Sequence, residues 1–174
     1  MIFRKAKESD LADISRIMAQ ARGFMEQNGV VQWVNGYPSD EVVLEDIREE
    51  NCWVFADDRG VCATVTVLTD GEPDYDKIYD GKWLTGDEGK YIAMHRVAVA
   101  DRVRGQGVAP KLTAQIKERA RSEGFESIRI DTHRDNKAMQ RMLTKSGFSP
   151  CGIIYLRKNG DERIAFEWLV NAEE

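Results

Sequence analysis

Apolar residues recur at helical spacing at Leu11, Ile14, Ile17, Met18, Ala21 and Met25, and Ser9 stands before them as a candidate N-cap. Gly29 ends that helix, and Ile2 to Lys5 ahead of it reads as a short edge strand. The loop Trp33-Val34-Asn35-Gly36-Tyr37-Pro38 follows. Ser39 then caps a second helix with Asp40 and Glu41 in its first turn and Val43, Leu44 and Ile47 on its apolar side. Strand-like runs at Cys52 to Ala56 and Val61 to Leu68 predict two strands. A four-residue loop, Asp57-Asp58-Arg59-Gly60, joins them as a hairpin.

The pattern then breaks from Thr69 to Lys90, a polar stretch too long for an ordinary connection and therefore expected to be functional or partly helical. Within it Tyr75, Tyr79 and Trp83 are spaced by four, which predicts one aromatic helical face that staples the segment to the core. A substrate-stacking surface is the alternative. Tyr91 to Val99 is a strand, Asp101 to Ala109 a glycine-containing turn, and Pro110 to Ser122 a helix buried through Leu112, Ile116 and Ala120, with Gly124 after its end. Ile128 to Thr132, Asn136 to Lys145 and a hairpin of Cys151 to Arg157 with Arg163 to Val170 complete the chain. This order predicts one α/β domain with a mixed sheet over residues 1–174.

Composition narrows the function. With 25 Lys and Arg against 30 Asp and Glu the net charge is −5, which argues against a general nucleic-acid binder. The three cysteines, Cys52, Cys62 and Cys151, lie in apolar strand-like runs without C-x-x-C spacing and read as buried reduced thiols. The N-terminus turns charged at Arg4 and Lys5 without an apolar leader core, and no run is long enough to span a membrane. The expected location is the cytoplasm. His95 and His133 lack a ligand-spaced partner such as H-E-x-x-H, so no metal site is expected.

The chemistry concentrates in Val97-Ala98-Val99-Ala100-Asp101-Arg102-Val103-Arg104-Gly105-Gln106-Gly107-Val108-Ala109. This segment leaves a strand, passes two glycines flanked by arginines, and enters a helix. Unpaired N–H groups and the partial positive charge of a helix N-terminus attract an anion, and glycines let a phosphate approach the backbone. Arg102 and Arg104 add cationic charge, so a phosphate or pyrophosphate site is expected here. The P-loop pattern G-x-x-x-x-G-K-[ST] is absent, and the dinucleotide pattern G-x-G-x-x-G fails because Pro110 stands at its third glycine.

The remaining motif, Arg102-x-x-Gly105-x-Gly107, resembles the Arg/Gln-x-x-Gly-x-Gly/Ala turn of the GNAT acyltransferase superfamily. Asn136 opening the next helix, Gly147-Phe148 closing it, the paired N-terminal helices and the C-terminal hairpin extend the resemblance over nearly the whole chain. It implies a mostly antiparallel central sheet splayed between the fourth and fifth strands, with helices on both faces. It also implies acetyl-CoA as donor, with the pyrophosphate held by the backbone from Arg104 to Ala109. The pantetheine arm would lie along Val97, Ala98 and Val99 like an added strand, paired at Val97 and Val99, with Asn136 at the arm or thiol end. Lys111, Arg134, Lys137 and Arg141 are candidates for the ribose 3′-phosphate.

The implied reaction is direct attack of a primary amine, on a small molecule or peptide, on the thioester. His95 is the leading base, because alternation places it on the face of Val97 and Val99 and an imidazole titrates near neutrality. A hydrogen-bonded core histidine is the alternative. Many family members carry a Tyr seven residues after the Asn as general acid; here that position is Leu143, and Tyr155 is the candidate substitute. The resemblance also implies an acceptor pocket walled by Phe24, Trp33, Tyr37 and Tyr155, with His133 bordering the cleft. The acidic 69–90 segment suits a cationic amine. A non-catalytic acyl-CoA-binding or regulatory domain is the rival reading, and a loop serving another nucleotide is a third. The resemblance leaves a homodimer through the C-terminal strands open, and no exposed apolar stripe demands one.

Overall fold

The computed structural model describes residues 1–171. Among the described residues seven strands and four α-helices follow one another as β1 (Ile2–Lys5), α1 (Leu11–Gln27), α2 (Asp40–Arg48), β2 (Cys52–Asp57), β3 (Gly60–Leu68) and β4 (Tyr91–Val99). They continue as α3 (Val108–Ser122), β5 (Ser127–Thr132), α4 (Lys137–Lys145), β6 (Ser149–Tyr155) and β7 (Glu162–Leu169). Two compact units result, Met1–Val67 with His95–Gln115, and Leu68–Met94 with the chain from Ile116 onward.

In the first unit the hydrogen-bonded strand order is β1-β2-β3-β4. Val61 to Val67 of β3 are all buried, with the hydroxyls of Thr64 and Thr66 taken up by Cys52 and Asp46. The β2–β3 turn is tighter than the expected four-residue loop. Asp57 and Gly60 still pair, leaving two residues between them, and Asp57 Oδ1 accepts from the Arg59 N–H at 2.9 Å. Helix α1 buries Ile14, Ile17, Met18 and Met25, but Ser9 is not its cap. Ser9 lies in a 3₁₀ turn, Glu8–Asp10, where the Asp10 carboxylate accepts from the Lys7 N–H and forks the Arg4 guanidinium at 2.7 and 2.9 Å. A charged carboxylate with two donors outcompetes a serine hydroxyl for this entry. At the other end Gly29, at φ 68°, lets the Val30 N–H reach Met25 O, as expected of a helix stop. Ser39 caps α2, its hydroxyl accepting from Val42 N–H.

In the second unit the order is β4-β5-β7-β6, with β5–β7 and β6–β7 antiparallel. Strands β4 and β5 run parallel and pair only over Tyr91–Ala93 and Ser127–Arg129, three positions of the nine in β4. The pairing stops at Ala93, next to the boundary of the two units at Met94. The 69–90 segment does not form the helix its aromatic spacing suggested. Only Pro73–Tyr75 is helical, as a 3₁₀ turn closed by the Glu72 side chain, and Tyr79 instead exchanges two backbone hydrogen bonds with Ile153 on the edge strand. Tyr75 and Trp83 are nonetheless buried and staple the segment as expected, whereas Tyr79 is exposed. Gly81 makes this path feasible, since a Cβ there would sit 1.9 Å from Cys151 O. Helix α3 starts two residues earlier than Pro110, because a proline in the first turn lacks only an N–H that has no partner there. All three thiols are buried, and burial pushes Cys52 and Cys151 up to about 11, which makes them poor nucleophiles.

Candidate active site

Strand β4 is kinked where the expected chemistry lies. Arg96, between His95 and Val97, has φ 51°, a left-handed conformation that costs a non-glycine residue about 1–3 kcal/mol. Period-two alternation holds only for extended backbone, so the count that placed His95 on the face of Val97 and Val99 does not carry across Arg96. His95 itself is half-buried. The Arg96 side chain is clamped: Nε and one terminal nitrogen fork Asp46 at 2.8 and 2.7 Å, and the other terminal nitrogen donates to the Tyr37 hydroxyl at 2.8 Å. Asp46 also accepts from Thr66 Oγ1 at 2.9 Å. Burial is the largest single influence and disfavours the guanidinium charge, but the hydrogen bonds and charge of Asp46 together with Tyr37 outweigh it and raise the pKa.

After β4 the chain turns through Asp101–Val103 and two left-handed glycines, Gly105 at φ 75° and Gly107 at φ 73°, into α3. The turn uses the N–H groups of Arg104, to Asp101 O, and of Gln106, to Val103 O. Those of Gly105, Gly107, Val108 and Ala109 meet no acceptor among the described residues. A Cβ at either glycine would meet nothing within 4 Å. The result is an open cradle of backbone donors at the N-terminus of a 15-residue helix.

The arginines of the motif do other work than expected. Arg102 forks Asp57 at 2.8 and 2.9 Å and donates to Gly60 O at 3.3 Å, pinning the turn to the β2–β3 hairpin. Arg104 pairs with Asp101 and lies over the Phe24 ring at 4.2 Å, so Phe24 supports the loop. Both cationic charges are balanced locally, which leaves the backbone donors and the helix dipole as what the turn offers an anion.

The Arg102 guanidinium holds the Asp57 carboxyl at about 2, below its ordinary 3.8. Because the folded value is the lower one, this pair stabilises the protein fully above about pH 4 and is lost as pH falls through 2. Asp57→Asn is therefore expected to melt below wild type at pH 6 and together with it at pH 2, checked by thermal denaturation at both pH values.

Trp33, expected as an acceptor wall, lines with Arg22, Glu26, Val30 and Val34 an open cleft of about 410 Å³ at the end of α1. Tyr37 is outside that lining, its hydroxyl engaged by Arg96.

His133, Asn136 and Tyr155 belong to the second unit. Asn136 stands one residue before α4 rather than inside it, and its Oδ1 accepts from Met139 N–H at 3.2 Å as the N-cap. His133 Nδ1 accepts from Asp135 N–H at 3.1 Å, and its carbonyl accepts from Asn136 N–H, so it organises the β5–α4 turn. Tyr155 is exposed on β6 with its ring edge-on to Tyr79 at 5.2 Å, not at the core edge. Leu143 is fully buried, so an apolar side chain packs the core at the position of the family's tyrosine. Arg134 is paired with Glu162, whereas Lys111 and Lys137 are exposed.

The sequence profile of the acetyltransferase (GNAT) family matches residues 17–148, which contain the cradle, the kinked strand and the cleft. The chain is a member of the GNAT acetyltransferase family. Among solved structures it is similar to a GNAT-family acetyltransferase from Streptococcus agalactiae 2603, at 30% identity, 99% of this chain, 96% of that one and a TM-score of 0.87. A putative acetyltransferase from Staphylococcus aureus Mu50 aligns at 23% identity over 98% and 100% of the two chains, with a TM-score of 0.73. The ribosomal-protein-S18-alanine N-acetyltransferase of Escherichia coli shares the fold at 13% identity, over 99% and 96%, with a TM-score of 0.66. No curated protein matches the sequence.

Membership makes this GNAT protein an acyltransferase, with the mixed, mostly antiparallel sheet expected of it. Among the described residues no helix is long and apolar enough to cross a membrane, and no three His, Cys, Asp or Glu side chains are grouped to hold a metal. Sequence reasoning missed Arg96, Asp46 and Asp57. One signal was available: Asp46 interrupts the apolar side of α2 between Val43 and Ile47, and a carboxylate on a buried stripe requires a partner.

Proposed function

We propose that this GNAT protein transfers the acetyl group of acetyl-CoA to a primary amine of a small molecule or peptide, with the whole chain acting as one catalytic domain. The observation that carries the reading is the cradle of backbone N–H groups at Gly105, Gly107, Val108 and Ala109, open where a glycine Cβ would stand. Four donors in an arc at a helix N-terminus fit a pyrophosphate. Strand β4 supplies the thioester site, with Val97 and Val99 pairing to the pantetheine arm and an N–H polarising the carbonyl. Asn136 is carried over from the family as the residue at that arm.

In the reaction the amine nitrogen bonds to the carbonyl carbon while the carbon–sulfur bond breaks. His95 takes the amine proton, directly or through water, and the thiolate is protonated by water or by Tyr155, because Leu143 offers no hydroxyl. Trp33 and the cleft beside Glu26 receive the acceptor, Glu26 favouring a cation. Tyr37 serves the acceptor loop through Arg96.

A calorimetric titration with acetyl-CoA tests the reading directly. Saturable one-to-one binding is expected, and no binding at millimolar donor overturns it. His95→Ala is expected to bind acetyl-CoA as wild type does and to lose about 10²-fold or more in turnover, most severely at low pH. A pH–rate profile identical to wild type removes His95 as the base. The buried Leu143 favours one rival, an acyl-CoA-binding domain without turnover. Steady thiol release on adding amines eliminates it.

A further inference from the structure

We infer that Arg96 is a positioning residue for acyl transfer: its guanidinium, clamped between Asp46 and Tyr37, holds the kink in β4 that aims the Val97 N–H at the donor carbonyl. The inference rests on the acetyltransferase reading above.

A left-handed residue inside a strand turns the peptide that follows it out of ladder alignment. At Arg96 that peptide carries the N–H of Val97. Glycine is the ordinary residue for such a conformation, because it has no Cβ to clash. An arginine at φ 51° persists only where its surroundings over-determine it. They do so here with three side-chain hydrogen bonds of 2.7 to 2.8 Å from a side chain 15% exposed, two to the Asp46 carboxylate, itself 10% exposed, and one to the Tyr37 hydroxyl. The anchors are themselves fixed. Asp46 sits on α2 and is braced by Thr66 of β3, and Tyr37 sits in the loop that also carries Trp33. One cation therefore ties the kink of the donor strand to the loop bordering the cleft, and the loop's position sets the direction of the carbonyl donor. The pyrophosphate cradle begins beyond Val99 and has its own anchor in the Arg102–Asp57 pair. Donor affinity and carbonyl polarisation are accordingly separable.

The experiment measures two quantities on wild type, Arg96→Met and Tyr37→Phe: affinity for CoA by calorimetry, and the carbonyl stretch of bound [1-¹³C]acetyl-CoA by isotope-difference infrared spectroscopy. Wild type is expected to lower the stretch relative to free acetyl-CoA. Arg96→Met is expected to bind CoA as wild type does yet lose that lowering, and Tyr37→Phe to retain only part of it. A wild-type stretch in Arg96→Met overturns the inference, as does CoA affinity that falls in parallel with the shift, since that marks general disruption. Should Arg96→Met fail to fold, Tyr37→Phe decides, a full lowering overturning the inference and a reduced one supporting it. Absent CoA binding by wild type overturns the acetyltransferase reading and this inference with it.

Discussion

Replacing Arg129 by methionine is expected to lower the free energy of unfolding by about 3–5 kcal/mol, the cost of removing one partner from a buried ion pair. The Arg129 side chain is 2% exposed and Glu167, opposite it on β7, is 0% exposed. Glu167 accepts from Arg129 Nε at 3.1 Å, from Ser127 Oγ and Thr85 Oγ1 at 2.6 Å each, and from the Leu84 N–H. Arg129 donates further to Gly86 O at 2.7 Å and lies between the Trp83 and Tyr91 rings at 4.4 and 4.1 Å. Every charge in this cluster has a partner, and each partner depends on the others. Arg129→Met fills the volume but strands a buried carboxylate. Adding Glu167→Leu is expected not to restore wild-type stability, because the Leu84 N–H and two hydroxyls then lose their acceptor. Urea denaturation of the single and double variants measures both effects. A single variant within 1 kcal/mol of wild type, on the order of an exposed pair, would show that the cluster is far wetter than its burial implies.

Gly107→Glu is expected to remove acetyl-CoA binding. A carboxylate at roughly 4 Å from a pyrophosphate charge near a protein surface opposes binding by about 4 kcal/mol, a loss on the order of a thousandfold. Gly107→Ala separates charge from conformation. Its Cβ meets no protein atom within 4 Å, so folding bears only the left-handed strain at φ 73°, about 1–2 kcal/mol of stability, while the methyl group enters the space the pyrophosphate would use and is expected to weaken binding by less than the carboxylate does. Calorimetric titration of both variants, with thermal melts to establish folding, is the measurement. Unchanged affinity in folded Gly107→Glu would overturn the assignment of the turn.

Local rules were reliable where one residue acts on its own backbone. Gly29, Gly105, Gly107 and Gly124 all occupy left-handed conformations that their places in the pattern call for. Ser39 is a helix cap, as its place before Asp40 and Glu41 suggested. The same rules failed at Ser9, where Asp10 with Arg4 offered a stronger entry, and at Tyr75, Tyr79 and Trp83. Spacing of four describes a helix only if the backbone hydrogen bonds close locally. Here the Tyr79 backbone bonds to Ile153, 74 residues away along the chain (153 − 79), and Gly81 presses against Cys151.

The sequence by itself determined the element order, the glycine turn ahead of α3 and family membership, because periodicity, capping and a phosphate-loop motif are written in neighbouring residues. Tertiary structure alone decided which charges remain available and which are spent. Asp57 neutralises Arg102 from 45 positions away, Asp46 and Tyr37 clamp Arg96 across 50 and 59, and Glu167 receives Arg129 across 38. An ion pair forms where folding happens to bring two side chains within hydrogen-bonding distance. Nothing in the local chain encodes that distance, so a guanidinium that reads as an anion ligand in the sequence becomes, once folded, a brace for the glycine turn ahead of α3.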